Sequence, residues 1–189
     1  FFKLDDCNMY PTPGRDIPIV CAGQSPRGKQ FVAELADHQF VMTPRSKLIA
    51  GVSDIKTRAK ETGRSVGIYW LCQMIVADSD DDAVKLGEEI VTRADRGAIS
   101  NMIASANLDT NVEGTSDHLK AALEQNIEEG NMAFMSIPVL LGSPSTLAQK
   151  IDEIADETQI DGMLFSWPDF VSGIRQFGEE VMPRLKCLK

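Results

Sequence analysis

Along this chain, short apolar runs alternate with stretches whose apolar residues recur every three or four positions. Pro18-Ile19-Val20-Cys21-Ala22, closed by Gly23, reads as a buried strand. Ser25-Pro26 then opens a helix, because Ser caps helix starts and Pro suits the first helical position. Phe31, Val32, Leu35 and Ala36 follow at helical spacing. Gln39-Phe40-Val41-Met42 reads as a second short strand, ended by Thr43-Pro44. A helix is predicted from about Arg45 to Glu61, with Leu48, Ile49, Val52 and Ile55 on one side and a stop at Thr62-Gly63-Arg64. The run from Val66 to Val76 is too apolar for a half-exposed strand, and its aromatic and β-branched residues predict a third buried one.

Asp78-Ser79-Asp80-Asp81-Asp82 starts a helix expected to reach about Arg96; acidic residues in a first turn suit the positive end of the helix dipole. A calcium loop would need a Gly and a distal Glu that this run lacks. From about residue 97 to 131 the rhythm breaks, and a helical insertion with polar loops is expected. Ile137 to Gly142 leads into Ser143-Pro144, another capped helix start, followed by Leu147, Ile151, Ile154 and Ala155. Gly162-Met163-Leu164-Phe165 reads as the fourth strand. Phe170, Ile174, Phe177 and Val181 read as the apolar face of a last helix ended by Pro183. Strands alternating with helices imply a parallel sheet with right-handed crossovers. Four such units form one α/β domain over residues 1–189, either a small open sheet or half of a (β/α)₈ barrel.

Charge narrows the partners. A net charge of −9 argues against nucleic acid, which needs a concentrated basic face. No apolar run reaches the roughly 20 residues that span a bilayer, and the first residues carry neither a signal-peptide pattern nor an initiator Met. Four scattered cysteines without a C-x-x-C pair, and only two histidines, give no metal site. Cys21 and Cys72, inside apolar runs, read as buried thiols, and a reducing cytoplasm is the simplest compartment.

The sharpest motif is Gly23-Gln24-Ser25-Pro26-Arg27-Gly28, where a strand ends and a helix begins. Gly23 permits close backbone approach. Free amides after Ser25 sit at the positive end of the helix, where an anion is favoured. Ser25 adds a hydroxyl and Arg27 a charge. Spacing alone favours Ser25 as a plain N-cap and Arg27 as solvated. Ser143-Pro144 reads as the same capping device with a structural role. Tyr69 and Trp70 read as core. Met74 and Trp167, near C-terminal strand ends, are the pocket-wall candidates. His38 begins a strand, and His118 lies in the insertion; neither reads as catalytic. No Ser-His-Asp or Cys-His arrangement assembles.

From Ile19 to Ser25 the sequence resembles the luciferase-like flavin monooxygenases, most of all the branch of pyrimidine (uracil) and dimethylsulfone monooxygenases. The resemblance begins at Phe2 to Cys7 with Pro11 and Pro13, and takes in Cys21 to Ser25 and Ala36-Asp37. It continues through Thr62-Gly63-Arg64, Ile75-Val76-Ala77-Asp78 and Leu141-Gly142-Ser143, and ends with Asp169 to Ile174, Phe177-Gly178 and Pro183. It covers nearly the whole chain but only the second half of the family's chain, so the strands would be the fifth to eighth of the barrel, with the insertion before the last. The resemblance implies reduced flavin mononucleotide (FMN) from a separate NAD(P)H flavin reductase, oxygen as co-substrate, and a small heterocyclic or organosulfur substrate. It assigns the Ser25 turn, with Gly23, Gln24 and Arg27 beside it, to the FMN phosphate. It also implies a homo-oligomer or pairing with a missing N-terminal half. A flavin-binding half-barrel without catalysis and a deazaflavin-dependent oxidoreductase are the alternatives.

Overall fold

The computed structural model describes residues 3, 5, 7, 10–106, 108, 131–134 and 137–188. In chain order it contains β1 (Val20–Cys21), α1 (Pro26–Leu35), β2 (His38–Val41), α2 (Arg45–Glu61), β3 (Gly67–Val76), α3 (Asp80–Arg93) and α4 (Arg96–Ala106). Beyond a 3₁₀ turn at Asn131–Phe134 come β4 (Val139–Gly142), α5 (Pro144–Thr158), β5 (Gly162–Ser166) and α6 (Phe170–Gln176). Every strand pairing is parallel. β3 is the axis: its first residues pair with β2, its middle with β5 and its last four with β4.

The alternation of strands and helices follows the sequence reading, with one strand added. β4 pairs Val139–Gly142 with Gln73–Val76. Four apolar residues running straight into a capped helix carry no period that separates strand from loop. The last four residues of the long β3 supply the ladder that turns them into a strand. The insertion expected from about 97 begins inside α4, and the expectations for 109–130, His118 among them, fall outside the described residues.

One face of the sheet is sealed by helices. Ile68, Trp70, Cys72 and Met74, alternate residues of β3, are at most 1% exposed. They pack in one cluster with Leu48, Val52 and Ile55 of α2, Leu147, Ile151 and Ile154 of α5, and Val181. The other face is half-open. Tyr69, Leu71 and Gln73 are only partly buried, and Leu164 of β5 is exposed. β3 therefore alternates from Gly67 to Met74, contrary to its uniformly apolar composition, because helices cover only one side of that stretch; at its end Ile75 is buried on the other side against Ala83 of α3 and Phe134. β1 departs further from expectation: it is two residues long, and Val20 is 50% exposed, since β1 pairs only with β2 among the described residues. Cys21 is half-buried, whereas Cys72 is sealed and its thiol is pushed up to about 12 by burial.

Carboxylates fasten the strand starts. Asp37 Oδ2 accepts from Ile19 N–H at 2.8 Å, and Asp161 Oδ2 accepts from Ile68 N–H at 2.8 Å. The last helix differs from its prediction. α6 stops at Gln176 and continues as a π-helical turn, Phe177–Val181, then a 3₁₀ turn containing Pro183. Val181 is buried, but Phe170 and Ile174 of the predicted apolar face lie exposed.

Candidate functional site

The turn from β1 to α1 is built by two glycines and a serine. Ser25 has φ −64° and ψ 159°, an extended N-cap conformation, and its Oγ accepts from Gly28 N–H at 3.1 Å. Its carbonyl accepts from Lys29 N–H at 2.8 Å, and Pro26 fills the first helical position. Gly23 and Gly28 face each other so closely that a Cβ on either would sit 2.8 Å from the other's Cα. The close approach anticipated for Gly23 is thus made to Gly28 of its own turn. The turn is tied down from below: Gln39 of β2, 2% exposed, donates from Nε2 to Gly23 O at 2.7 Å.

What this turn leaves open is a pair of amide donors at the head of α1. The first turn of α1 contains no acidic residue. Among the described residues, no partner closes the amides of Ser25 and Arg27, and Arg27 is exposed without an ion pair. The N-terminal amides of a helix favour an oxyanion. Gln24 is half-buried and lines a cleft of about 460 Å³ between α1 and α2, shared with Lys29, Thr43 and Ser46.

The second Ser-Pro turn, ahead of α5, is already filled. Ser143 caps α5 by accepting from Thr146 N–H at 3.4 Å. Asp80 of α3 reaches across to it. Asp80 Oδ1 accepts from Ser143 N–H at 2.7 Å and Oδ2 from Thr146 Oγ1 at 2.9 Å. The Ser143 N–H first, then the Thr146 and Ser143 hydroxyls, hold the Asp80 carboxyl below its ordinary value of 3.8. An oxyanion therefore occupies this turn, provided by the chain itself.

The remaining singled-out residues lie elsewhere. Met74 is 0% exposed and belongs to the helix-side cluster, so core packing replaces the pocket-wall reading: its position in β3 turns it toward α2 and α5. Trp167 packs against the same cluster and on Gly173 of α6, with ring centroids 6.1, 6.0 and 6.2 Å from Phe165, Phe170 and Phe177. Its Nε1 is buried without a partner among the described residues. Trp70 is core, donating from Nε1 to Thr43 O at 2.8 Å. His38 stacks on Tyr69, with centroids 4.7 Å apart, at the start of β2. Sequence reasoning missed Gln39 and Asp80. A polar residue inside the apolar run Gln39-Phe40-Val41-Met42 was the one available signal for the first; nothing local marks the second among its four acidic and hydroxyl neighbours, Asp78, Ser79, Asp81 and Asp82.

A family model described as luciferase-like monooxygenase matches residues 1–161. The pyrimidine monooxygenase RutA of Escherichia coli O127:H6 (strain E2348/69 / EPEC) is 33% identical over 192 residues, covering 99% of this chain and 51% of the relative. Among solved structures, DmoA from Hyphomicrobium sulfonivorans has a TM-score of 0.73 at 25% identity, covering 97% of this chain and 44% of that one. The EDTA monooxygenase EmoA from Chelativorans sp. BNC1 has a TM-score of 0.74 at 16% identity, covering 94% and 46%, a likeness of fold. The chain spans about half the length of the curated relatives it matches.

Proposed function

The chain belongs to the luciferase-like monooxygenase family, and on that footing we propose that it is the C-terminal half of a (β/α)₈-barrel, flavin-dependent monooxygenase whose Ser25 turn holds the FMN phosphate. In this reading β1, β2, β3 and β5 are the fifth to eighth barrel strands, and β4 pairs with the extended end of β3. The observation that carries the reading is the open anion site of α1. The same kind of turn at α5 holds the Asp80 carboxylate through one amide and one hydroxyl. The α1 turn offers the matching amide, but Gly28 stands where Thr146 supplies the hydroxyl at α5, so its hydroxyl donor is Ser25 itself, and the first turn has no acid of its own. This donor set fits a phosphate ester.

The residues then have distinct tasks. Ser25 Oγ and the amides of Ser25 and Arg27 bind phosphate oxygens, and the Arg27 guanidinium faces the same charge. Gly23 and Gly28 keep side chains out of the turn. Gln24 borders the adjacent cleft. Bound reduced FMN supplies the oxygen-activating chemistry, with O₂ and a separate NAD(P)H flavin reductase as partners. The half-open face around Phe40, Leu71, Gln73 and Leu164 faces the substrate space, which the other half of such a barrel would close. The likeness to RutA supports a pyrimidine ring as the first substrate to try, with other small heterocycles and organosulfur compounds next. Partly buried and exposed apolar residues on that face, and an edge of β1 left unpaired among the described residues, support association with a second copy or with an N-terminal half. Free thiols at Cys7, Cys21, Cys72 and Cys187 support a reducing cytoplasm.

A second reading, a half-barrel that binds flavin without turnover, is supported by the chain's coverage of only 51% of the matched relative. One experiment separates the two. The chain is titrated with FMN by visible absorbance, then supplied with NADH, a flavin reductase and uracil while oxygen is followed. Uracil-dependent product formation supports the monooxygenase; binding without product supports the inert half; no binding refutes both.

A further inference from the structure

Gln39 is a costly choice for its position. It is 2% exposed on the helix-facing side of β2, whose register sets it beside Ile68 of β3 on one edge and Cys21 of β1 on the other. Leu or Met would fill that space without the penalty of burying a carboxamide. The bond it makes explains the choice: Nε2 donates to Gly23 O at 2.7 Å, two residues before Ser25. Gly23 in turn touches Gly28, the residue whose N–H meets Ser25 Oγ at 3.1 Å. A displacement of Gly23 is therefore passed directly to the cap. The next strand repeats the device, since Trp70 of β3 donates to Thr43 O in the loop after β2.

We infer that Gln39 is the positioning residue of the phosphate turn: its buried carboxamide fixes the Gly23–Gly28 contact and so the aim of the Ser25 and Arg27 amides. The inference rests on the phosphate reading above, and its test separates the two. Gln39 touches no phosphate oxygen and acts through Gly23. Its removal lowers affinity for FMN and leaves affinity for riboflavin, which has the same ring system without the phosphate.

The variants are Gln39→Met, near-isosteric but without a donor, and Gln39→Leu, which keeps the test available should the first not fold. Trp70→Phe removes the sister bond and serves as a control. Dissociation constants for FMN and riboflavin are measured on the full chain, together with amide hydrogen exchange of residues 22–29 without flavin. In the wild type, FMN binds tighter than riboflavin by about tenfold or more. Both Gln39 variants reduce that preference by roughly fivefold or more while riboflavin affinity stays within about twofold, and exchange at 22–29 speeds by about tenfold. Trp70→Phe changes neither. Equal loss for both flavins, or wild-type preference and wild-type exchange in the variants, overturns the positioning role. A wild type that binds both flavins alike overturns the phosphate reading instead, and exchange at 22–29 then decides alone whether Gln39 fixes the turn.

Discussion

Two Ser-Pro turns in this molecule share a cap and differ in what they hold. Ser25 (φ −64°, ψ 159°) and Ser143 (φ −66°, ψ 161°) have nearly the same backbone, each followed by Pro at the head of a helix and each accepting an amide three residues on. The cap is therefore uninformative about ligands. The surroundings differ: Asp80 comes from α3 to bond the Ser143 amide of the α5 turn, whereas at the α1 turn the Asp54 carboxylate bonds the Lys29 ammonium and, among the described residues, leaves the Ser25 and Arg27 amides unbonded. A helix start that the fold completes with its own anion is structural. One left open beside an exposed Arg is what the proposed phosphate site requires.

The strongest way to break this contrast is to give the first turn what the second has. Arg27→Asp removes a cation and adds a carboxylate at the head of α1. FMN affinity should fall by about a hundredfold or more, while the unliganded chain gains about 0.3–1 kcal/mol. A titration beside a thermal melt reads both, and undiminished affinity breaks the comparison. Next, Ser25→Ala and Ser143→Ala should each cost about 1 kcal/mol of stability as lost caps. Only Ser25→Ala should weaken FMN, by about tenfold, the worth of one charge-assisted hydrogen bond. Equal effects on FMN would erase the distinction. Gly28→Ala should destabilise by about 1–2 kcal/mol in a denaturant melt, because its Cβ would press on Gly23 Cα at 2.8 Å.

The smallest effect concerns acid. The folded carboxyl of Asp80 titrates below the ordinary value of 3.8, so its stabilisation is complete above that value and is lost as pH falls through the folded one. Asp80→Asn should lower the melting temperature at neutral pH, and the gap to wild type should close as the pH drops below 3.8. A constant gap would show that Asp80 acts without its charge.

The sequence made the strand-helix order legible because Ser25-Pro26 and Ser143-Pro144 mark helix starts locally and the apolar periods of α2 and α5 are long. Short elements were harder. β4 needed the far end of β3, and the exposure of Val20 and Leu164 depends on which neighbours the chain brings, which no local pattern records. Met74 shows the same limit, since composition places it near a strand end but only the direction of β3 sends it toward the helices. The two turns themselves were visible, whereas the side chain that ties down the first and the one that fills the second were not. Gln39 reaches Gly23 across 16 positions and Asp80 reaches Ser143 across 63, contacts that exist only after the strands have paired.

The most direct test of the open turn is a ¹⁵N amide spectrum of the chain recorded during an FMN titration. The Ser25 and Arg27 amide protons should move downfield and saturate together with the flavin absorbance, while the Ser143 amide, already bonded to Asp80, stays in place. Saturation of the flavin signal with Ser25 and Arg27 unmoved would contradict the account.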